Sequence, residues 1–274
     1  MTPTTGSPGA SLRTTFLAEW TRLTTRRILW PTLIATLLFG TAGPALVLAA
    51  AEPAAAGAAD GMVPSLEQLA DPGGGTEIFR TATAFAGTLL FALLCGVFAL
   101  EFSRGTHRTM LFAQPRRVPL LVGRLAALLA FAAAGLALAE LLTWVAARLL
   151  APAFDVDAGS WLGPRSAGAA LTDYATVLMW VTGYTAFALV LAVLLRSVPL
   201  TLTVGIAWAG PFEHLVGDSL TAGREYFPGL LLEALGRGGT PDVGATRALL
   251  TVAAYSAAFL ALSATAFARR DVTS

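Results

Sequence analysis

The chain has 274 residues, of which 55% are hydrophobic and only 13% are charged, with a formal net charge of +1 at pH 7. Soluble domains carry about 25% charged residues, so this composition excludes an ordinary soluble protein and indicates a polytopic membrane protein. All 18 basic residues are arginine, and the lack of lysine excludes a P-loop lysine, a Schiff base and a Ser-Lys pair in this polypeptide.

The N-terminal segment is predicted to change from disorder to helix. Residues 1–10 are rich in Thr, Pro and Gly and are expected to be disordered. From residue 11 to 27, arginines surround apolar residues at spacings of four, four and three: Leu12, Phe16, Trp20 and Leu23. This pattern predicts an amphipathic helix in the headgroup region with Trp20 as an interfacial anchor. The alternative is a soluble basic leader.

Six apolar segments approach or exceed the roughly 20 residues that a helix needs to cross a bilayer. The predicted spans are residues 29–51, 81–100, 120–147, 174–195, 198–214 and 247–268. Gly210-Pro211 is expected to break or bend the fifth span, because proline lacks an amide proton. A further apolar stretch, residues 226–235, is too short to span and could enter the outer leaflet as a re-entrant helix.

The distribution of charge predicts the orientation of these spans. Twelve arginines and three acids fall on one side, whereas six arginines and thirteen acids fall on the other. Arginine-rich short loops stay in the cytoplasm, so we expect a multi-pass protein of the cell membrane with both termini cytoplasmic. The outer loop, residues 52–80, is expected to contain a short helix at 65–70.

A polar and basic island separates the second and third spans. This island, residues 101–124, reads EFSRGTHRTMLFAQPRRVPLLVGR and contains five arginines and one acid. Glu101 stands at its start, and Arg104 and Arg108 follow one turn apart, an order that suits a helix dipole and i,i+3 pairing. The island therefore predicts a short helix along the membrane surface, which Gln114-Pro115 would stop.

The island resembles the first cytoplasmic loop of type-2 ABC transporter permeases. The shared features are an acidic residue and an aromatic that close a span, then Arg-Gly-Thr, a second basic residue two positions on, an apolar triplet and Pro-Arg-Arg. Because the flanking spans also fit that family, the resemblance extends over residues 11–274 as a single transmembrane permease domain. The alternative is that any cytoplasmic loop of a polytopic protein is basic.

The resemblance implies an all-α integral membrane fold with six transmembrane helices, an N-terminal elbow helix, a cytoplasmic coupling helix and a re-entrant helix before the last span. It implies an exporter subunit that is not itself an enzyme and holds no cofactor. Its expected partners are an ATPase subunit that binds ATP and Mg, a second permease subunit and the lipid bilayer, with no nucleic acid. The residues implied to couple to the ATPase are Glu101, Phe102, Ser103, Arg104, Gly105, Thr106, His107, Arg108 and Thr109.

Glu140 is the one ionisable residue well inside a predicted span, where a charge is costly unless it faces a partner or water. It could line a path for a cationic or polar substrate, pair with Arg148 two turns later, or reach the interface. The two histidines, His107 and His214, are predicted on opposite membrane faces and cannot share a metal ion. We expect neither a catalytic nor a metal site.

Two other function classes fit the same pattern. A membrane protein that transports nothing, such as an assembly, immunity or signalling protein, could use the island as a docking platform. A proton-coupled transporter is disfavoured because buried charges are few and no internal repeat is visible. A neighbouring reading frame that encodes a Walker-A ATPase would distinguish the permease from both.

Overall fold

The computed structural model describes residues 8–53, 63–103, 117–219 and 225–269, and regular structure in these ranges is helical apart from one isolated bridge. The α-helices are α1 (Pro8–Leu23), α2 (Arg26–Ala50), α3 (Leu66–Leu69), α4 (Gly74–Phe85), α5 (Gly87–Ser103), α6 (Arg117–Leu150), α7 (Pro164–Leu195), α8 (Val198–Ala207), α9 (Glu213–Ser219), α10 (Pro228–Gly236) and α11 (Ala245–Arg269). Short 3-10 turns, Ala151–Phe154 and Gly159–Leu162, lie between α6 and α7.

Four of these helices, α2, α6, α7 and α11, are long and apolar enough to cross a membrane. This agrees with the prediction of an all-α membrane protein. A fifth crossing would need α4 and α5 together, which meet at an angle of 53°. The number of six spans therefore stays a prediction.

The second predicted span, residues 81–100, is bent. Its helical structure begins at Gly74, inside the predicted outer loop, and is interrupted at Ala86. At this break Gly87 packs so closely on Trp180 of α7 that a Cβ would lie 2.8 Å from the indole ring. Tight packing of α5 on α7 thus accompanies a bend that hydropathy alone does not show.

The fifth predicted span, residues 198–214, is also irregular. Helix α8 contains ten residues, which is too few to cross, and a π-helical turn, Trp208–Phe212, joins it to α9. Pro211 lies in this turn. Since proline removes a hydrogen-bond donor and π turns mark interruptions of a helix, the predicted break at Gly210-Pro211 is confirmed.

Helix α7 forms the centre of the bundle. It begins at Pro164, ten residues before the predicted start of the fourth span, with proline in the first turn where a missing amide costs nothing. It packs against α5, α8, α10 and α11. Phe91, Tyr184 and Phe187 form an aromatic stack inside the main core, and the single cysteine, Cys95, is buried beside them.

A second, smaller core lies at the predicted outer end of the bundle. Trp161 is buried there and donates its indole N–H to the Leu69 carbonyl over 2.9 Å. The short helix expected at residues 65–70 is present as α3. Ser65 and Gln68 form a reciprocal capping box at its N-terminus.

Helix α1 begins at Pro8, within the segment expected to be disordered, and lies along α6. The apolar pattern of α1 coincides only partly with its buried side. Leu12 is exposed, whereas Leu23 is buried and Trp20 makes an edge contact with Phe131 of α6. The buried side also includes Thr15 and the acidic residue Glu19, and the location of α1 in the headgroup region stays a prediction.

Candidate functional site

Four charged side chains from three helices meet at the base of the island. We call them the clasp: Glu19 and Arg22 of α1, Glu101 of α5 and Arg124 of α6. Arg124 Nη2 lies 2.6 Å from Glu101 Oε1, and Arg124 Nε lies 3.3 Å from Glu19 Oε2. Arg22 pairs with Glu19 and lies 3.6 Å from Glu101. Two positive and two negative charges thus compensate one another.

The packing of α1 on α6 brings the clasp together. Gly123 lies beside Arg124 and faces α1 so closely that a Cβ there would be 2.9 Å from Thr15 Cβ and 3.0 Å from the Leu12 carbonyl. This packing places Glu19, one turn after Thr15, beside Arg124. The side chains of Glu19 and Arg124 are each more than nine-tenths buried. Buried ion pairs need full compensation, and the opposite charges of the clasp supply it.

A small cavity of about 40 Å³ lies beside the clasp, with room for a few water molecules. Its floor is apolar and comes from α5, α6 and α7, including Phe98, Leu121 and Leu189. The clasp therefore borders an apolar cavity between α5, α6 and α7. We infer that the charges hold this end of the bundle in place and do not bind a large ligand.

Only the first three predicted coupling residues fall within the described part of the chain. Glu101, Phe102 and Ser103 end α5. Phe102 packs edge-on against Phe267 of α11, with ring centroids 6.1 Å apart, and Ser103 is exposed. The other predicted coupling residues lie outside the described residues: Arg104, Gly105, Thr106, His107, Arg108 and Thr109. The expected coupling helix therefore stays a prediction.

The sequence alone does not mark Glu19 or Arg124 as a site residue. The charge count places Glu19 among the acids on the predicted cytoplasmic side, and Arg124 belongs to the basic island. Glu19 is nevertheless distinctive, since it is the only acid in α1. Its partner, however, lies 105 positions away, and that pairing appears only when α1 packs on α6.

A second polar cluster surrounds Glu140, toward the predicted outer end of the bundle. Asp173 of α7 accepts a hydrogen bond from Thr76 over 2.9 Å and lies 3.4 Å from Arg80. Arg80 also pairs with Glu77 over 3.0 Å. Glu140 of α6 interacts electrostatically with the Asp173 carboxylate, and its Oε1 is buried without a hydrogen-bond partner among the described residues.

The alternative that Glu140 pairs with Arg148 is wrong. Arg148 instead donates from Nη1 to the Ala158 carbonyl over 2.7 Å, and so holds the loop that follows α6. Among the described residues, the cluster around Glu140 therefore contains three carboxylates and a single guanidinium. This excess of carboxyl groups over guanidinium groups, set between α4, α6 and α7, would favour a cation or a hydrogen-bond donor.

Glu213 is a further buried acid, and it does not stand out in the sequence. Its side chain is fully buried, and its Oε2 accepts the amide of Leu230 over 2.9 Å. The neighbouring His214 is half-exposed and lies 3.2 Å from Glu233 of α10. Within the described residues no group of three or more His, Cys, Asp or Glu side chains could hold a metal ion.

The fold and these clusters define an all-helical membrane protein with an ion-paired end and an acidic end. Comparisons with protein-family models, curated proteins and solved structures found no match. A function for this protein therefore has to follow from the residues of this chain.

Proposed function

We propose that the chain is the membrane-spanning permease subunit of an ABC exporter, which forms the substrate path and is driven by a separate ATPase subunit. The observation that carries this proposal is the clasp. Glu101 and Arg124 stand at the two ends of the island, and their 2.6 Å contact gives the intervening loop a narrow, rigid base. A loop that transmits force from a soluble partner needs such a base.

The clasp suggests how a displacement of the island would reach the membrane. A movement that pulls on Glu101 shifts α5, and the same movement acts on α6 through Arg124 and on α1 through Glu19. The three helices would therefore move together and not one by one. Because the ion pairs between Arg124 and the two acids are largely buried, water screens them less than it screens surface pairs.

The proposed substrate path passes Glu140. Glu140 Oε1 is buried within a span and has no hydrogen-bond partner in the described part of the chain. Such a group is a functional candidate, because it is costly unless it serves a ligand or a water-filled passage. Together with Asp173 it favours a cationic or polar substrate. A second permease subunit, either a copy or a paralogue, would complete the path in the cell membrane, with both termini cytoplasmic.

The test is capture of the ATPase. The chain is purified from membranes together with the ATPase that a neighbouring reading frame encodes, and the double variant Arg104→Glu, Arg108→Glu is compared with wild type. We expect the variant to lose the ATPase, or to keep it with hydrolysis that no longer responds to substrate. Both substitutions should spare membrane insertion, because Arg116, Arg117 and Arg124 still hold the loop inside.

The matched control is Arg269→Glu with Arg270→Glu, which removes two arginines from the same predicted face but outside the island. This control should keep the ATPase. Normal ATPase binding and export in the Arg104 and Arg108 variant would overturn the proposal. It would favour a membrane protein that uses its charged face for docking without transport.

A further inference from the structure

Helix α10 is a nine-residue helix packed inside the bundle. It lies against α4, α7 and α11, and most of its side chains are buried, Leu231 and Leu235 among them. It is too short to cross a bilayer. Its N-terminus therefore ends inside the protein, and the amides there must find acceptors other than bulk water.

The sequence at the start of α10 provides no local cap. Phe227, the residue before the helix, has no side-chain acceptor, and Pro228 has no amide proton. The amides of Gly229 and Leu230 remain. Both residues are buried, and an unpaired buried amide is costly.

Glu213 supplies the missing cap from a different segment. Its fully buried carboxylate accepts the Leu230 amide over 2.9 Å, and Gly229 lies directly against the same Oε2. A negative charge at this position also lies at the positive end of the α10 dipole. The contact needs glycine at position 229, because a Cβ there would lie only 2.5 Å from Glu213 Oε2.

The position of Glu213 ties α10 to the broken fifth segment. Glu213 is the first residue after the π turn, Trp208–Phe212, and Ala209 in that turn also packs against Gly229. The π turn thus places the Glu213 carboxylate at the N-terminus of α10. At the other end of α10, Gly236 lies against Trp180 of α7.

We propose that Glu213 is a positioning residue that holds α10 in its place inside the bundle. Loss of the carboxylate leaves the buried Leu230 amide without its acceptor, so α10 should leave its site. Loss of the charge alone should have less effect, because a glutamine oxygen can accept the same amide.

A cysteine-labelling experiment on the purified chain in detergent tests this proposal without any ATPase. Ala234→Cys, a buried position on α10, is introduced in a Cys95→Ala background and labelled with a polar maleimide. Glu213→Ala should accelerate labelling about tenfold or more, since local opening becomes easier when a buried amide loses its acceptor. Glu213→Gln should restore slow labelling. The control Glu233→Ala, which removes a half-exposed acid of α10 that pairs with Arg237, should leave labelling slow.

A second reporter separates local release of α10 from general unfolding. Ala99→Cys, buried on α5 at the other end of the bundle, should stay protected in Glu213→Ala. If Glu213→Ala does not fold, Gly229→Ala provides the same test, because its methyl group displaces the carboxylate. Slow labelling of Ala234→Cys in both variants would overturn the proposal, as would equal exposure of both reporters or no rescue by glutamine.

Discussion

Arg124 is the hub of the clasp, because it is the only one of the four residues that contacts an acid on each of two other helices. Glu101, in contrast, is only one of the two acids that pair with Arg124. Loss of Arg124 should therefore disturb the clasp more than loss of Glu101. The planar guanidinium of arginine can donate hydrogen bonds to two carboxylates in fixed directions. A lysine ammonium is less suited to this geometry.

Arg124→Gln should destabilise the protein by about 3–5 kcal/mol, the usual cost of removing one partner from a buried ionic group. Glu101→Gln should cost less, because Arg124 keeps Glu19. The double variant should be less destabilised than the sum of the two single variants, since Glu101 is already deprived of Arg124. Thermal unfolding in detergent measures all three. Additive losses would mean that the two side chains do not interact.

Glu140 should behave differently, because its buried Oε1 has no hydrogen-bond partner among the described residues. Glu140→Leu should raise the free energy of unfolding by about 1 kcal/mol, whereas Asp173→Leu should lower it by removing the contacts with Thr76 and Arg80. If Glu140 lines the path, the same Glu140→Leu variant should reduce substrate-stimulated ATP hydrolysis of the assembled complex. Unchanged stimulation across the tested substrates would leave Glu140 without a transport role.

Single-residue importance was only partly predictable. Glu140 stands out in the sequence because it interrupts an apolar run, and Glu101 because it begins the island. Glu19, Asp173 and Glu213 do not stand out in this way. Their partners lie in other helices, and the charge of a residue does not reveal which distant helix will pack against it.

At the scale of elements, α1 is positioned by sterics as much as by charge. Its contact with α6 passes through Gly123, where there is no room for a side chain, while Gly135 on the same helix has nothing within 4 Å of the place that a Cβ would take. These two glycines offer a matched pair. Both substitutions by leucine should favour the helix by about 1 kcal/mol on intrinsic propensity alone.

Gly123→Leu should therefore push α1 away from α6, whereas Gly135→Leu should not. Arg13 and Arg22 are already exposed, but trypsin needs an unfolded backbone around them. Release of α1 removes the packing that keeps this backbone helical, so the first variant should be cut faster near its N-terminus in detergent. Its thermal midpoint should also fall, because Glu19 leaves Arg124. Equal digestion of the two variants would show that α1 does not depend on this contact.

Helix positions followed from hydropathy where the apolar run was uninterrupted. The helices predicted at 29–51, 120–147 and 247–268 correspond to α2, α6 and α11 within a few residues. Irregular elements are harder to predict from the sequence. The bend at Ala86 lies beside the close contact of Gly87 with Trp180, and α7 begins early, at Pro164. A hydropathy window averages over such local features.

At the scale of the whole molecule, arginine and acid separate toward opposite ends of the bundle. The clasp, which joins the two ends of the island, lies at one end, and the loops with Asp71 and Asp157 lie at the other. The positive-inside rule predicts that the first end faces the cytoplasm. This orientation underlies the exporter proposal, because the island must face a cytoplasmic ATPase.

Cysteine labelling of intact cells tests the orientation directly. The background variant Cys95→Ala removes the only thiol, which is buried, and single cysteines then replace Asp71, Asp157 or Ser103, all exposed. An impermeant maleimide should label the first two positions and not the third. Permeabilised cells should show labelling at all three positions, which would confirm that Ser103→Cys can react when the reagent reaches it. Labelling of Ser103→Cys in intact cells would mean that the topology is inverted and that the island lies outside, where a cytoplasmic ATPase could not bind it.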